Sequence, residues 1–575
     1  MKYPRLRLPL LQKAQHTLDS FTASGRALFL FFAGLCAVSA IALLYILNAS
    51  LLVAAPAGGG SLTEGLIGSP RFINPVLALS DADRDVTALT YSGLLRATPG
   101  GSYEPDLAES YTVSDDGREY TFTLRQATFH DGKPVTADDI VFTVQKIQNP
   151  ALKSPLRANW DGVVAEALDA RTVRFTLKSP YAPFIKNLTL GILPKALWSS
   201  ITDDEFSFSQ LNASPVGSGP YRVRSITRTA SGIPSSYELS PFAGYALGAP
   251  YLHLTLRFYQ SEDALMNALS GGEVEAASGL SPDKLASLKG ADITTTPLNR
   301  VFGVFFNQNQ SEVLRQKTVR AALNLALDRD ELVEKVLDGY GTPLAGPVPP
   351  SVLKTAAATT TPVDRLESAR AMLANNGWKL GEDGILAKTT GTGKNATTQT
   401  LSFSIATANV SELRAAAEYL RDLWGQLGAK VEVKVFESGD LSQNVIRPRK
   451  FDALLFGEVI GRELDLFAFW HSSQRNDPGL NVAGYVNADA DQALESMRQT
   501  ADQAERAALY EAFAKEIQTD IPAVFLYAPD FVYSIPKDIQ GLDLGLVEAP
   551  SDRFLSITQW HREVDYVWPI FAPQR

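Results

Sequence analysis

One cysteine, Cys36, is present in 575 residues, and it lies inside an apolar run rather than in the body of the chain. Past that run there is no disulfide and no thiol nucleophile. A body this large can hold itself together by burial without covalent staples. Histidine is also scarce: only His130, His253, His471 and His561 follow the apolar run, and they are well separated. No HExxH pair or GxSxG elbow occurs, so zinc and serine hydrolysis both lack their local signatures. The segment Val216-Gly217-Ser218-Gly219-Pro220 has no residues between its serine and either glycine, and is not such an elbow. A GxxxxGK[ST] phosphate loop is absent too. No cofactor and no metal site is implied, and a secreted hydrolase becomes the weaker of the readings open to this chain.

Basic charge is short in the body. Residues 1–60 carry five basic groups and one acid, while the rest of the chain carries 48 basic and 62 acidic groups. An acidic body argues against nucleic acid, whose phosphates need Lys and Arg to neutralise them. Residues 27–55, by contrast, contain no charge at all. That run exceeds the roughly 20 residues needed to cross a bilayer as a helix, and is too long for a secretory signal core. It predicts a transmembrane anchor, with the basic residues 1–26 on the cytoplasmic side by the positive-inside bias. Residues 56–61 then read as a short linker, and everything after them lies outside the cytoplasm. Two other readings stay open at this point. Ala55-Pro56-Ala57 resembles a small-residue cleavage site, and Cys36 is a candidate for lipidation, although Leu35 precedes it.

Alternating runs at 120–125, 173–177 and 431–435 predict half-buried strands. Between them, helical spacing covers 313–337, 364–376, 411–427 and 488–520. Residues 355–362 and 389–400 read as loops. The mixture indicates α/β architecture. The stretch FHDGKPVTADDIVFTVQKIQNP (129–150) packs His130, Asp131, Asp138 and Asp139 into a short space. Asp131-Gly132-Lys133-Pro134 is turn chemistry, and Thr136 with Asp139 fits a capping box ahead of an amphipathic helix. Local backbone needs therefore account for these residues without an acid–base or metal role.

That stretch also resembles a signature of the family 5 extracellular solute-binding proteins, the dipeptide- and oligopeptide-binding components of ABC importers. The likeness continues in order through RFINPV (71–76), VTALTYSGLL (86–95), PDLAES (105–110), VGSGPY (216–221), VRAALNLALDR (319–329), GYGTPLAGPVPP (339–350), ARAMLANNGW (369–378) and QTDIPAVFLY (518–527). The resemblance implies a two-lobed periplasmic-binding-protein-like α/β fold, large and with an extra subdomain in lobe one, behind the transmembrane helix. Lobe one would take 62–300, with the subdomain at about 96–209. Lobe two would take 301–529, and 530–575 would return to lobe one. The lobes would close over a solute by hinge motion, the chain crossing between them near 299–307 and 526–530.

The implied ligand is a peptide or similar small solute, held largely through its backbone as an added strand. The implied partners are an ABC permease with its ATPase subunits, and the membrane through the N-terminal helix. Family members commonly hold the peptide ammonium with an aspartate from lobe two. The matching segment here is FGEVIGRELDLFAFW (456–470), and Arg462 falls where that aspartate would be, unless a shifted loop brings Glu463 or Asp465 to the place. A cation there would repel an ammonium and attract a carboxylate. The ligand-binding candidates are accordingly Leu79, Ser80 and Asp81 from lobe one, and Glu458, Val459, Ile460, Gly461, Arg462, Glu463 and Asp465 from lobe two. Trp160 and Trp470 are candidates for aromatic cleft surface, with burial inside their own lobes as the open alternative. A tethered sensor is the competing reading; residues 1–26 are too short for an output domain, so it would need a signalling partner.

Overall fold

The computed structural model describes residues 20–571, apart from 286, 289–291, 350–363, 393–395 and 501. The expected loop at 355–362 and most of the basic segment 1–26 lie outside the described residues. The chain divides into two units: the N-terminal stretch through Ala57 together with the segment from Glu563, and Gly58–Arg562.

In the first unit, Ala23–Leu51 is one helix of 29 residues with none of them buried. At the helical rise it is about 43 Å long, more than the roughly 30 Å of a bilayer core. Thr22 caps it, accepting the Gly25 N–H at 3.3 Å. The helix stops four residues short of the end of the expected span because Leu52 turns extended. Val53–Ala57 is then a strand, paired antiparallel with Glu563–Val567. Three expectations change as a result. The span ends at Leu51 rather than 55, and the linker shrinks from 56–61 to Gly58–Gly60. The C-terminal stretch from Glu563, expected to join lobe one, pairs with Val53–Ala57 in the first unit. Pro56 explains part of this, since proline cannot continue a helix and pushes the residue before it into extended backbone.

The second unit holds two main cores. One, from Leu62 to Ala276 and again from Phe531 to Trp560, lies around a sheet ordered Tyr221–Arg228, Pro234–Pro241, His253–Tyr259, Ser61–Ile67, Ala276–Ser278 and the end of Ala523–Ser534. A separate antiparallel sheet, Ala108–Val113, Glu119–Leu124, Thr172–Thr176 and Val164–Ala167, contributes to this core. The helix Ala137–Gln148 packs on it. The other core, from Val301 to Ala528, surrounds Lys430–Phe436, Ser402–Ala408, Ala453–Val459, Arg300–Phe306 and the start of Ala523–Ser534.

Helical periodicity reads through breaks that caps impose. The expected helix at 313–337 is three helices, Glu312–Arg315, Lys317–Ala326 and Arg329–Leu337. The last restarts where the Asp328 carboxylate accepts the N–H groups of Asp330 and Glu331. The expected helix at 488–520 is likewise Ala488–Gln499 and Gln503–Asp520, with Asp502 capping the second. Residues 389–400, expected as a loop, contribute to two hairpin arms, Leu386–Thr390 and Thr397–Thr400.

The 129–150 stretch does structural work. Asp139 accepts the Thr136 N–H at 2.9 Å and its hydroxyl at 2.8 Å, starting the helix Ala137–Gln148. His130 joins two of the signature blocks: its Nδ1 accepts the Gly217 N–H and its Nε2 donates to the Gly219 carbonyl. Burial lowers its pKa to about 4, keeping the ring neutral for this role. Gly217 is required because a Cβ there would sit 2.0 Å from the Thr90 carbonyl oxygen.

Beneath the sheet of the first core lies a buried ion cluster. The Arg553 guanidinium contacts Glu64 at 2.7 Å and Asp85 at 2.8 Å, with all three side chains almost wholly shielded from water. The Tyr533 hydroxyl donates to Glu64 at 3.0 Å. This ties the segments around 64, 85, 533 and 553 into one lobe although they are far apart in sequence.

Candidate functional site: the seam between the lobes

Two adjacent strands carry the chain between the cores. Ala523–Ser534 pairs by its first half with Phe302–Phe305 and by its second with Ile293–Pro297. Beside it, only Leu298 and Asn299 separate Ile293–Pro297 from Arg300–Phe306. The Asn299 N–H donates to Val547 in the first core at 2.8 Å, and its carbonyl accepts from Ile460 in the second at 2.8 Å. Such a narrow crossing, a few residues at element ends, is where a hinge can absorb backbone rotation.

The loop that follows Ala453–Val459 reaches across from this crossing. The Arg462 side chain is 5% exposed and donates to the Leu546 carbonyl at 2.6 Å and the Asp552 carboxylate at 2.8 Å. Its backbone N–H donates to Glu548, which also receives Lys186 Nζ at 2.6 Å. Asp465 takes both arms of Arg498, at 2.8 and 2.7 Å. It also accepts the Tyr181 hydroxyl at 2.9 Å. Tyr181 packs on the first core, whereas Leu464 and Phe467 pack on the second, so this bond crosses between lobes. The Arg498 guanidinium lies over the Phe467 ring at 3.9 Å and the Tyr181 ring at 5.4 Å. Glu463 pairs with Arg506 at 3.1 Å. Leu464 sits at φ 51, in the left-handed region unusual for leucine, so the surrounding contacts hold the loop in a costly turn.

Placed on this frame, the sequence-derived residues separate into groups. Arg462, Glu463 and Asp465 meet at the seam, each neutralised by a partner from this chain. Arg462 is therefore committed to Glu548 and Asp552 rather than free to meet a ligand carboxylate. Ile460 and Gly461 lead into the loop, and the Ile460 side chain is buried. Glu458 is 2% exposed, and its carboxyl oxygens have no hydrogen bond among the described residues. Burial pushes its pKa up to about 8, opposed weakly by the Trp470 indole N–H, which lies near the carboxyl but does not meet hydrogen-bond geometry. Val459 remains 47% exposed. Ser80 is consumed by a cap: its hydroxyl accepts the Asp83 N–H, and its own N–H donates to Asp83. Leu79 and Asp81 are exposed, Asp81 having only a 3.9 Å approach from Arg84.

Of the two courses open to the tryptophans, both take burial and leave the list of ligand contacts. Trp160 packs against Phe175 and Phe184 inside the first core, and Trp470 against Phe305, Phe513 and Phe525 inside the second. Neither forms cleft surface, because each large ring removes more area from water within its own lobe. Tyr181, Lys186, Arg498, Glu548 and Asp552 complete the seam and carry no motif. Tyr181 and Asp465 lie 284 positions apart, and nothing in a single sequence links them.

Two lobes joined by a narrow two-strand crossing and latched by polar contacts define a hinged solute-binding protein. Residues 102–477 match the model of the bacterial extracellular solute-binding proteins, family 5 (middle region). The chain belongs to this family. Among similar curated proteins, the oligopeptide-binding protein AppA of Bacillus subtilis is 29% identical over 504 residues, covering 84% of this chain and 89% of that one. Protein XP55 of Streptomyces lividans is 30% identical over 493 residues, covering 84% and 86%. Among solved structures, Bacillus subtilis AppA in complex with a nonapeptide superposes with a TM-score of 0.66 at 26% identity, covering 88% of this chain and 99% of that one. The substrate-binding protein CtaP of Listeria monocytogenes gives a TM-score of 0.73 at 27% identity, covering 88% and 100%.

Proposed function

We propose that this chain is a membrane-anchored extracytoplasmic receptor that encloses a peptide between its lobes, unaltered, and presents it to the permease of an ABC importer. The observation that carries the reading is the Tyr181–Asp465–Arg498 cluster, a polar latch shared by two separately folded cores. A latch of this kind lets a protein trap a solute that neither lobe alone could desolvate. Peptide as the solute class rests on AppA of Bacillus subtilis, whose name concerns oligopeptides and whose structure holds a nonapeptide. Anchorage rests on the wholly exposed apolar helix Ala23–Leu51. Exposed Leu79, Asp81 and Val459 are the ligand contacts this reading keeps from the sequence, whereas Trp160 and Trp470 drop out.

Mass spectrometry of small molecules released from the purified full chain tests the reading. Intact peptides in near-stoichiometric amount are expected. Release of a different solute class would remove the peptide clause, and steady cleavage of added peptides would make the chain an enzyme instead.

A further inference from the structure

The paired strands Val53–Ala57 and Glu563–Val567 form a ribbon with two unlike faces. Register places Ala54 beside Tyr566 and Pro56 beside Val564 on one face. Leu52 and Trp568 extend that face by one position each, because side chains alternate along a strand. All six of these residues are apolar or aromatic, and Tyr566 is 69% exposed, Trp568 45% and Val564 36%. The opposite face carries both charges of the ribbon, Glu563 and Asp565, beside Val53, Ala55, Ala57 and Val567. The short helix Pro569–Phe571 adds two more exposed apolar side chains, Ile570 and Phe571.

A lone two-stranded ribbon is marginal in water, and this one offers its broad apolar face to solvent. Its position in the chain says what covers it. Val53 follows the end of the apolar helix Ala23–Leu51 by two residues, so a bilayer crossed by that helix has its outer surface at the ribbon. Tyr and Trp favour this headgroup level, where an amphipathic ring finds both apolar and wet surroundings.

We propose that this ribbon is a second membrane-binding element, its Leu52/Ala54/Pro56/Val564/Tyr566/Trp568 face lying in the outer headgroup layer. The inference rests on the anchor reading of the helix. It adds that the C-terminal segment, and not only the N-terminal one, holds the receptor to the lipid. The connections to the body are short: Gly58–Gly60 on one strand, and on the other none, since Glu563 follows Arg562 directly. Within the body the two exits are fastened together, Arg562 donating to the Ser61 carbonyl at 2.6 Å. The receptor is then held by a doubled tether rather than by a single flexible strand. Binding is apolar, because the charges on the ribbon are acidic and face the other way.

Tryptophan fluorescence reads this directly. The other six tryptophans are at most 2% exposed, so Trp568 alone answers a quencher at the surface. The full chain is reconstituted into phosphatidylcholine vesicles carrying acyl bromines either near the headgroup or near the chain end. Expected is quenching by the shallow bromines, weaker quenching by the deep ones, and loss of acrylamide access, all unchanged in high salt and all absent in Trp568→Ser. Tyr566→Ser should restore part of the acrylamide access to Trp568. Vesicle flotation run in parallel reports the anchor separately. A chain that floats while Trp568 stays open to acrylamide overturns the ribbon and leaves the anchor standing. A chain that does not float overturns both. Shielding from acrylamide without quenching by lipid bromines means that another protein or a second copy covers the face, and overturns the proposal as well.

Discussion

Tyr181→Phe separates closure from folding with the smallest possible change. The lost atom is one hydroxyl, which donates to Asp465 across the seam at 2.9 Å. Burial, and then the Asp465 charge, push its pKa well above that of a free phenol, so it remains a donor at every physiological pH. A hydrogen bond to a charged acceptor contributes about 1.5–3 kcal/mol net, and the lower end applies where water replaces the partner once the lobes part. Taking about 1.5 kcal/mol, the closed population falls about tenfold relative to the open one. Asp465 keeps both arms of Arg498 in either state, so no buried charge is stranded. Global stability should therefore move by no more than about 0.5 kcal/mol. Because apparent affinity scales with the competent fraction, peptide Kd should rise up to about tenfold. Isothermal titration gives the affinity, small-angle scattering the degree of closure, and thermal melting the stability. An unchanged Kd with unchanged scattering would refute the latch. So would a fall of several degrees in Tm, since the hydroxyl would then serve the fold.

Four further outcomes follow from the same geometry. Arg462→Met leaves Glu548 and Asp552 without their shared cation and should cost about 3 kcal/mol, read as a lower Tm and a more open scattering profile. Arg553→Met strands Glu64 and Asp85 in the first core, where burial raises both carboxyl pKa values and Arg553 is the main force opposing it. A loss of about 3–5 kcal/mol is expected by denaturant titration, partly recovered in the triple variant that adds Glu64→Gln and Asp85→Asn. Glu458 holds its proton to about pH 8 when folded but only to the usual carboxylate range when unfolded. Its contribution is thus present at low pH and lost as pH rises from about 4.5 through 8. Glu458→Gln should remove this loss, so its Tm advantage over the parent grows across that window. His130 is opposite in sign: its folded pKa of about 4 lies below the ordinary value, so stability is lost as pH falls from about 6.5 toward 4. His130→Phe should flatten that limb in pH-dependent melts, at the cost of a lower Tm at neutral pH.

The parts of the fold legible in the sequence are those fixed by local chemistry. Thr136 and Asp139 announce a helix start because the cap is satisfied within four residues. Gly377, at φ 86, announces a helix end because only glycine adopts that geometry without strain. Periodicity misleads where a cap interrupts a continuous apolar stripe. The helices Lys317–Ala326 and Arg329–Leu337 present such a stripe, and Asp328 breaks it without altering the spacing. The ribbon was hidden for a different reason. Val53–Ala57 reads as the tail of an apolar run, and its partner lies about 500 residues later. A strand declared only by its partner gives no local signal.

The seam shows why architecture is easier to read than recognition. Read from the sequence alone, Arg462 raises the expectation of an inverted charge preference. The structure spends that charge on Glu548 and Asp552, two acids from the C-terminal return to the first core. In the same way Asp465 is matched by Arg498 and Glu463 by Arg506. Every ionic residue of the loop is thereby neutralised by this chain before any ligand arrives. A loop so balanced holds the lobes together without selecting the charge of what lies between them. On the proposed reading, recognition would fall to backbone groups and to exposed positions such as Leu79, Asp81 and Val459, an arrangement suited to a receptor that accepts peptides of varied sequence.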